Sequence, residues 1–328
     1  MRVAIFGSNS FAGCDFIDLL LGAGQNDILG ISRSKEKPEA LPSYGRRPRN
    51  RFVHRQLDLN RDLEEIRSVL DAFRPQFVVN FAAQGELAAS WEHPQDFFQT
   101  NCVALAGLID YLKDQGGLQR FLQVSSSSVY SGSTIARTEE TPLNPETPYG
   151  VSKAAIDLLL LAYHKSYGFP AQIVRPPNLY GPHQPIFRII PKSIIMLKNG
   201  QRIDLHGGGR ALRQYLHVRD ASRAVLSVLE RGGAGQIYNI APDEASSIRE
   251  IIAVICARLG KGFDTFTREV EDRRGHQTGL LIDSAKIRHE QGWYPQISLR
   301  SGIEGVLDWI ERDWEDLVGQ SLFYTHRL

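Results

Sequence analysis

An open, doubly wound parallel α/β sheet with a smaller second lobe is the fold this sequence predicts, and three observations carry it. Short β-rich runs alternate with helix-period runs through the first half of the chain. A glycine-bearing turn stands between the first such strand and the first such helix. Beyond about residue 173 the alternation gives way to proline- and glycine-rich stretches.

The strands come first. Residues 3–6, 28–32, 52–54, 77–81 and 121–124 are apolar or β-branched runs bounded by glycine, proline or polar turns. Between them, Phe11, Phe16, Ile17, Leu20 and Leu21 recur at helical spacing, as do Leu63, Ile66, Leu70 and Phe73. Strand and helix in alternation make βαβ units, and so a parallel sheet covered on both faces. Helical patterns also run over 94–112, 149–167, 247–259 and 303–317. A strand over 236–241 is expected to rejoin the sheet. Residues 1–174 and 215–245 are therefore assigned to a nucleotide-binding (Rossmann) domain, and 175–214 and 246–328 to a discontinuous C-terminal lobe that cups a ligand.

Bulk properties exclude several classes. A chain of 328 residues, 42% hydrophobic and 23% charged, buries a sizeable core and is not disordered. Its net charge of +1 supplies no field that would recruit nucleic acid or a membrane surface. Cys14, Cys102 and Cys256 lack metal-ligand spacing, and their odd number argues against a disulfide framework. No metal is expected, and a reducing cytoplasm is the expected compartment. The apolar start is too short for a signal peptide, and no run approaches the ~20 residues of a membrane helix. The basic stretch from Arg46 to Arg51 reads as a solvated loop, with a cofactor-phosphate contact as the sharper alternative.

The turn Gly7-Ser8-Asn9-Ser10-Phe11-Ala12-Gly13 opens the first helix. Gly7 permits the tight bend, while Ser10 and Gly13 are small enough for backbone to approach a pyrophosphate. The helix N-terminus adds free N–H groups and positive dipole. Gly7, Asn9, Ser10, Phe11, Ala12 and Gly13 are thus the candidate dinucleotide cradle. The second strand ends at Ser32 and Arg33 with no carboxylate for a ribose 2′-hydroxyl. An arginine beside serines suits a 2′-phosphate, so NADP is favoured over NAD. An arginine that meets only solvent is the plain alternative.

Tyr149 and Lys153 are four residues apart on a helical pattern and share a face. A lysine charge beside a phenol stabilises the phenolate, which can then take a hydroxyl proton while hydride leaves the same carbon. Ser126 lies in a serine run at the carboxyl end of the 121–124 strand, the sheet edge where ligands bind. Glycine turn, serine strand end and Tyr/Lys helix in this order form a candidate catalytic constellation of Ser126, Tyr149 and Lys153.

With these motifs on one chain, the sequence resembles the extended short-chain dehydrogenases that modify nucleotide sugars: 4,6-dehydratases, 4-epimerases and 4-keto reductases. Further marks are Asn80 to Gln84, Thr100-Asn101, Arg175 to Pro182, Arg213 to Val218 with Asp220, Tyr238 to Ile240, Asp272 to His276 and Gly292 to Pro295. The resemblance implies that Ser126, Tyr149 and Lys153 are catalytic. It implies cofactor contacts at Asp58, where relatives bond the adenine, at Leu59, and at Phe81, Ala82 and Ala83. Tyr149 and Lys153 would flank the cofactor as well. Asn178, Arg213, Tyr215 and Arg273 match positions that grip a nucleotide diphosphate, and Gln84, Glu86 and Ser127 would face the sugar. It also implies a homodimer paired through the 94–112 and 149–167 helices.

Where the resemblance fails, the chemistry narrows. The 4,6-dehydratases carry an acidic residue, usually in Asp-Glu or Ser-Glu, where this chain has Ser127 and Ser128, and serine neither protonates a leaving hydroxide nor removes a C5 proton readily. The expected reaction is therefore hydride transfer at sugar C4, as a 4-epimerase or 4-keto reductase. A 4,6-dehydratase with a displaced acid/base at Glu86 is the alternative. A cofactor-sensing scaffold without catalysis is the rival from another class.

Overall fold

A computed structural model describes residues 1–37, 42–45, 47–272 and 279–327 of the chain. Seven parallel strands form the main sheet: β1 (Arg2–Phe6), β2 (Asp27–Ser32), β3 (Phe52–Gln56), β4 (Phe77–Asn80), β5 (Arg120–Val124), β6 (Ala171–Arg175) and β7 (Ile237–Asn239). Their order is β7-β6-β5-β4-β1-β2-β3. β1 carries four consecutive buried residues, because helices cover both faces of the sheet.

Two apolar layers build those faces. Helix α1 (Phe11–Gly22) packs with the later helix Val218–Arg231, burying Phe16, Ile17, Leu20, Ala224, Val225 and Val228. On the other face, α2 (Leu63–Phe73), α3 (Leu105–Leu112) and α4 (Pro148–Tyr167) bury Ile66, Leu70, Leu108, Ile109, Ile156 and Leu160. From β1 the chain winds outward through β2 and β3, then returns to β4 on the far side of β1. The reversal opens a crevice at the carboxyl ends of β1 and β4, where ligands bind in such sheets.

The second lobe has its own core of Ile190, Ile194, Ile252, Ile255, Ile303, Val306 and Ile310. Three helices supply it: α5 (Ile189–Lys198), α7 (Ile248–Arg258) and α8 (Leu299–Arg312), counting Val218–Arg231 as α6. Ser247 starts α7 with a reciprocal capping box to Glu250.

Two of the expected helical patterns are interrupted in the structure. The 94–112 pattern is three pieces: a short helix Pro94–Phe98, a π-helical turn Gln99–Ala104, and α3. The 303–317 pattern breaks at Asp313 into α8 and Trp314–Leu317. The strand expected over 236–241 is β7, an edge strand on β6. Tyr215–His217, assigned above to the first domain, pairs with Asn178–Tyr180 in a separate two-stranded sheet and leads into α6.

Candidate active site

The turn after β1 has no room for side chains. Gly7 has φ +73°, and a Cβ on it would stand 2.5 Å from the Ala82 nitrogen; a Cβ on Gly13 would collide with the Gly7 carbonyl. Glycine lets the turn pack tightly on residues 81–82 and on the first turn of α1, and a turn so lined by bare backbone fits a pyrophosphate. Ser10, in place of a middle glycine, is the N-cap of α1: its hydroxyl accepts from the Gly13 N–H at 3.0 Å. Phe11 and Ala12 form the first turn of α1.

Polar bonds tie this turn to the end of β2. The Ser32 hydroxyl accepts from the Asn9 N–H at 2.9 Å and shares a hydrogen bond with Ser8. The Asn9 amide donates to the carbonyls of Ser34 and Lys35. Arg33 is exposed, and its Nη1 donates to the Arg327 carbonyl at 2.8 Å. Asp58 accepts from the Asn60 N–H in a tight turn, and Leu59 is buried in the apolar core. Phe81 packs on Phe16, the Ala82 N–H donates to the Asn80 side chain, and Ala83 is exposed.

Tyr149, Lys153 and Ser126 converge. Helix α4 opens with Thr147 as N-cap and Pro148 in the first turn. A Cβ on Gly150 would collide with the Ser128 carbonyl, so glycine lets the helix end press against the serine loop. The Tyr149 phenol is thereby brought near the Ser126 hydroxyl, which lowers its pKa. One turn on, Lys153 is buried and its Nζ donates to the Val124 carbonyl at 2.8 Å.

The electrostatics differ from the sequence expectation. Burial raises the Tyr149 phenol above the usual tyrosine range, and the Ser126 hydroxyl and the Arg188 charge pull it back. Burial takes Lys153 itself down to about 8, against which the Asp157 carboxylate acts.

A charged network ties α4 to the sheet. Arg175 pairs with Asp157 at 2.9 Å, both excluded from water, and donates to the Tyr130 hydroxyl at 2.6 Å. Tyr130 in turn donates to the Asn239 side-chain oxygen at 3.1 Å. Arg175 and Asn239 are marks of the resemblance, and with Tyr130 they fasten α4 to β6 and β7.

The remaining candidates line the second-lobe side. The π-helical turn presents Asn101, whose side chain accepts from the Gln84 N–H and donates to the Gln84 carbonyl and the Ser152 hydroxyl. Insertions of this kind recur at functional sites. Glu86 pairs with Arg188 at 2.8 Å. Ser127 is buried and its N–H donates to the Pro176 carbonyl. Asn178 is the strand partner of Tyr215, whose phenol burial pushes up to about 12. Arg213 is half-buried, and burial lowers its pKa. Arg273 lies outside the described residues.

Other signals serve structure. Arg47, Arg49 and Arg51 of the basic stretch pair with Asp18, Glu36 and Asp27. Asp220 accepts from the Gln296 and Ile297 N–H groups, and its carbonyl accepts from the Trp293 ring, which ties the 292–297 loop to α6. Arg188 and Phe97 were not singled out by the sequence. Phe97 is fully buried with its ring edge-on to Tyr149 at 6.3 Å. Nothing in their spacing marks either; Arg188 reaches Glu86 from the second lobe, and Phe97 reaches Tyr149 from the short helix Pro94–Phe98.

Comparisons with known proteins agree with this geometry. The family described as "NAD dependent epimerase/dehydratase family" matches residues 3–241. The dTDP-glucose 4,6-dehydratase of Streptomyces griseus is 32% identical over 326 residues, 97% of either chain. That of Xanthomonas campestris pv. campestris is 34% identical over 259 residues, 74% of either chain. Among solved structures, a dTDP-glucose 4,6-dehydratase from Streptomyces venezuelae with NAD bound is similar at TM-score 0.87 and 28% identity, covering 96% of this chain and 98% of its own. The UDP-glucuronic acid 4-epimerase from Bacillus cereus, in complex with UDP-glucuronic acid and NAD, is similar at TM-score 0.86 and 25% identity, covering 95% and 99%. Among the described residues, no helix is long and apolar enough to cross a membrane.

Proposed function

The chain belongs to the NAD dependent epimerase/dehydratase family, and from that premise we propose that it oxidises C4 of a nucleotide-diphosphate sugar with NAD. The observation that carries the reading is the convergence of Tyr149, near enough to Ser126 for that hydroxyl to lower its pKa, with buried Lys153 one helical turn on, bonded to the carboxyl end of β5. NAD held by the 7–13 turn and the 81–83 segment supplies the hydride acceptor.

The chain's own residues do the rest. Ser126 holds the C4 hydroxyl against the phenol. Tyr149, as phenolate, takes the hydroxyl proton. Lys153, anchored on Val124, fixes the helix end and places positive charge near the reacting oxygen. Asn178, Arg213 and Tyr215 line the diphosphate subsite in this reading, with Arg273 as a further candidate. The expectation of NADP finds no support: the similar structures were solved with NAD, and Arg33 already holds a carbonyl of this chain.

The fate of the 4-keto sugar has two readings. Relatedness favours loss of water across C5 and C6, because the similar curated proteins at 32% and 34% identity are dTDP-glucose 4,6-dehydratases. Glu86, which influences Tyr149 through its charge, is the carboxylate available for that step. The second reading is 4-epimerisation or 4-keto reduction, favoured by hydroxyls at Ser127 and Ser128. Product mass on a panel of nucleotide sugars separates them: dehydration removes a water, reduction adds two hydrogens, and epimerisation conserves mass. No turnover of any nucleotide sugar would leave a cofactor-binding scaffold instead.

A homodimer belongs to the same reading. Val103, Val151 and Leu158 are large apolar side chains exposed on the two helical stretches expected to pair, and a second copy would cover them. Light scattering that gave a monomer mass would remove it.

A further inference from the structure

Residues 323–327 run from the second lobe to the first. At one end the Lys192 ammonium stands 4.8 Å from the Phe323 ring centre, and Tyr324 meets Phe187 edge-on at 5.3 Å. Further along, the His326 Nε2 lies 2.7 Å from the Asp96 carboxylate, and its ring stacks on His93 at 4.3 Å. The same imidazole lies parallel to Phe97, which packs against Tyr149. Last, the Arg327 carbonyl accepts from Arg33 Nη1 at 2.8 Å and from Gln84 Nε2 at 2.7 Å.

That final pair fixes the path of the segment. Arg33 follows β2 and Gln84 follows β4, and β1 lies between those strands in the sheet. One carbonyl reached from both sides stands over the end of β1, and therefore over the 7–13 turn. The trio His93, Asp96 and His326 brings ligand-type atoms within 4.8 Å of one another. Its two imidazoles are face to face with planes 4° apart, so their lone pairs run parallel and do not converge on one ion. The trio is a latch.

We infer that residues 323–327 form a clasp across the dinucleotide's path, and that its release controls cofactor exchange. The inference rests on the cofactor reading of the 7–13 turn and on no particular sugar. A clasped cofactor suits an enzyme that regenerates its dinucleotide in every cycle, as epimerases and dehydratases do, better than a reductase that must exchange it.

The test follows NADH leaving the intact protein after mixing with excess NAD, read by the loss of bound-NADH fluorescence. The double variant Tyr324→Ala, His326→Ala and the single variant Asp96→Ala are each compared with the parent chain. Release about tenfold faster or more is expected, as for the loss of one or two hydrogen-bonded contacts, with the thermal midpoint kept in at least one variant. Release within about twofold of the parent in both variants overturns the clasp alone. A parent chain that binds no dinucleotide overturns the cofactor reading and the clasp with it.

Discussion

Arg175 and Asp157 face each other at 2.9 Å with no access to water, Asp157 standing on the same helix that bears Tyr149 and Lys153. Burial alone raises the Asp157 pKa, and the Arg175 charge opposes it. Removing one charge leaves the other buried without its counterpart, at a cost of about 3–5 kcal/mol. Asp157→Asn is therefore expected to lower unfolding free energy by that order, measured by urea denaturation at neutral pH. A loss under about 1 kcal/mol would mean that Tyr130 and Asn239 suffice to hold Arg175.

Lys153 provides a pH test with a definite sign. Its fall from 10.5 to about 8 corresponds to about 3 kcal/mol spent keeping an ammonium in the fold below pH 8. Between pH 8 and 10.5 the folded lysine is neutral while the unfolded one is still charged, so the penalty fades; above 10.5 it is gone. Lys153→Met keeps the volume and deletes the charge, but loses the bond to Val124. A gain of about 1–3 kcal/mol is expected at pH 7, shrinking to nothing by about pH 10.5, with turnover lost. Denaturation curves at both ends of that range check the sign.

Legibility from sequence followed the range of the interactions. The glycine turn, the strand–helix alternation and the Tyr149/Lys153 pair are local patterns, and the chain carries them in the open. The π-helical turn at 99–104 escaped because its register is set by Asn101 bonding Gln84 and Ser152, residues 17 and 51 positions away. Arg188 escaped for a similar reason: it precedes an apolar helix in a separate lobe and meets Glu86 only across the cleft. Arg33 was legible as a cation at the cofactor strand, but its carbonyl partner stands 294 positions along the chain. The expected lysine effect on the Tyr149 phenol overlooked burial, a property of the assembled core.

Tyr149→Phe separates chemistry from binding. The variant keeps the ring that Phe97 packs against and loses the one phenol oxygen, beside Ser126. A fall of about 10²–10⁴ in kcat is expected, with NAD affinity and thermal midpoint close to the parent's. Residual turnover above about a tenth of the parent would remove the phenol as proton acceptor.

Glu86 decides between the two fates of the 4-keto sugar. In dehydration the sugar must lose a C5 proton and a C6 hydroxyl, and the serine loop offers only Ser127 and Ser128, whose pKa values lie far from the working range. Glu86 is the remaining candidate, pinned to Arg188 at 2.8 Å across the lobes. Glu86→Gln keeps the shape and removes the acid/base. Under the dehydratase reading, dehydrated product should fall about 10²–10⁴-fold while oxidation at C4 continues, so that reduced nicotinamide accumulates on the protein and is seen by its fluorescence. An epimerase would instead keep its turnover within about tenfold, since the C4 proton passes through Tyr149 and not through this carboxylate. Unchanged dehydration in the variant would take Glu86 out of the mechanism altogether.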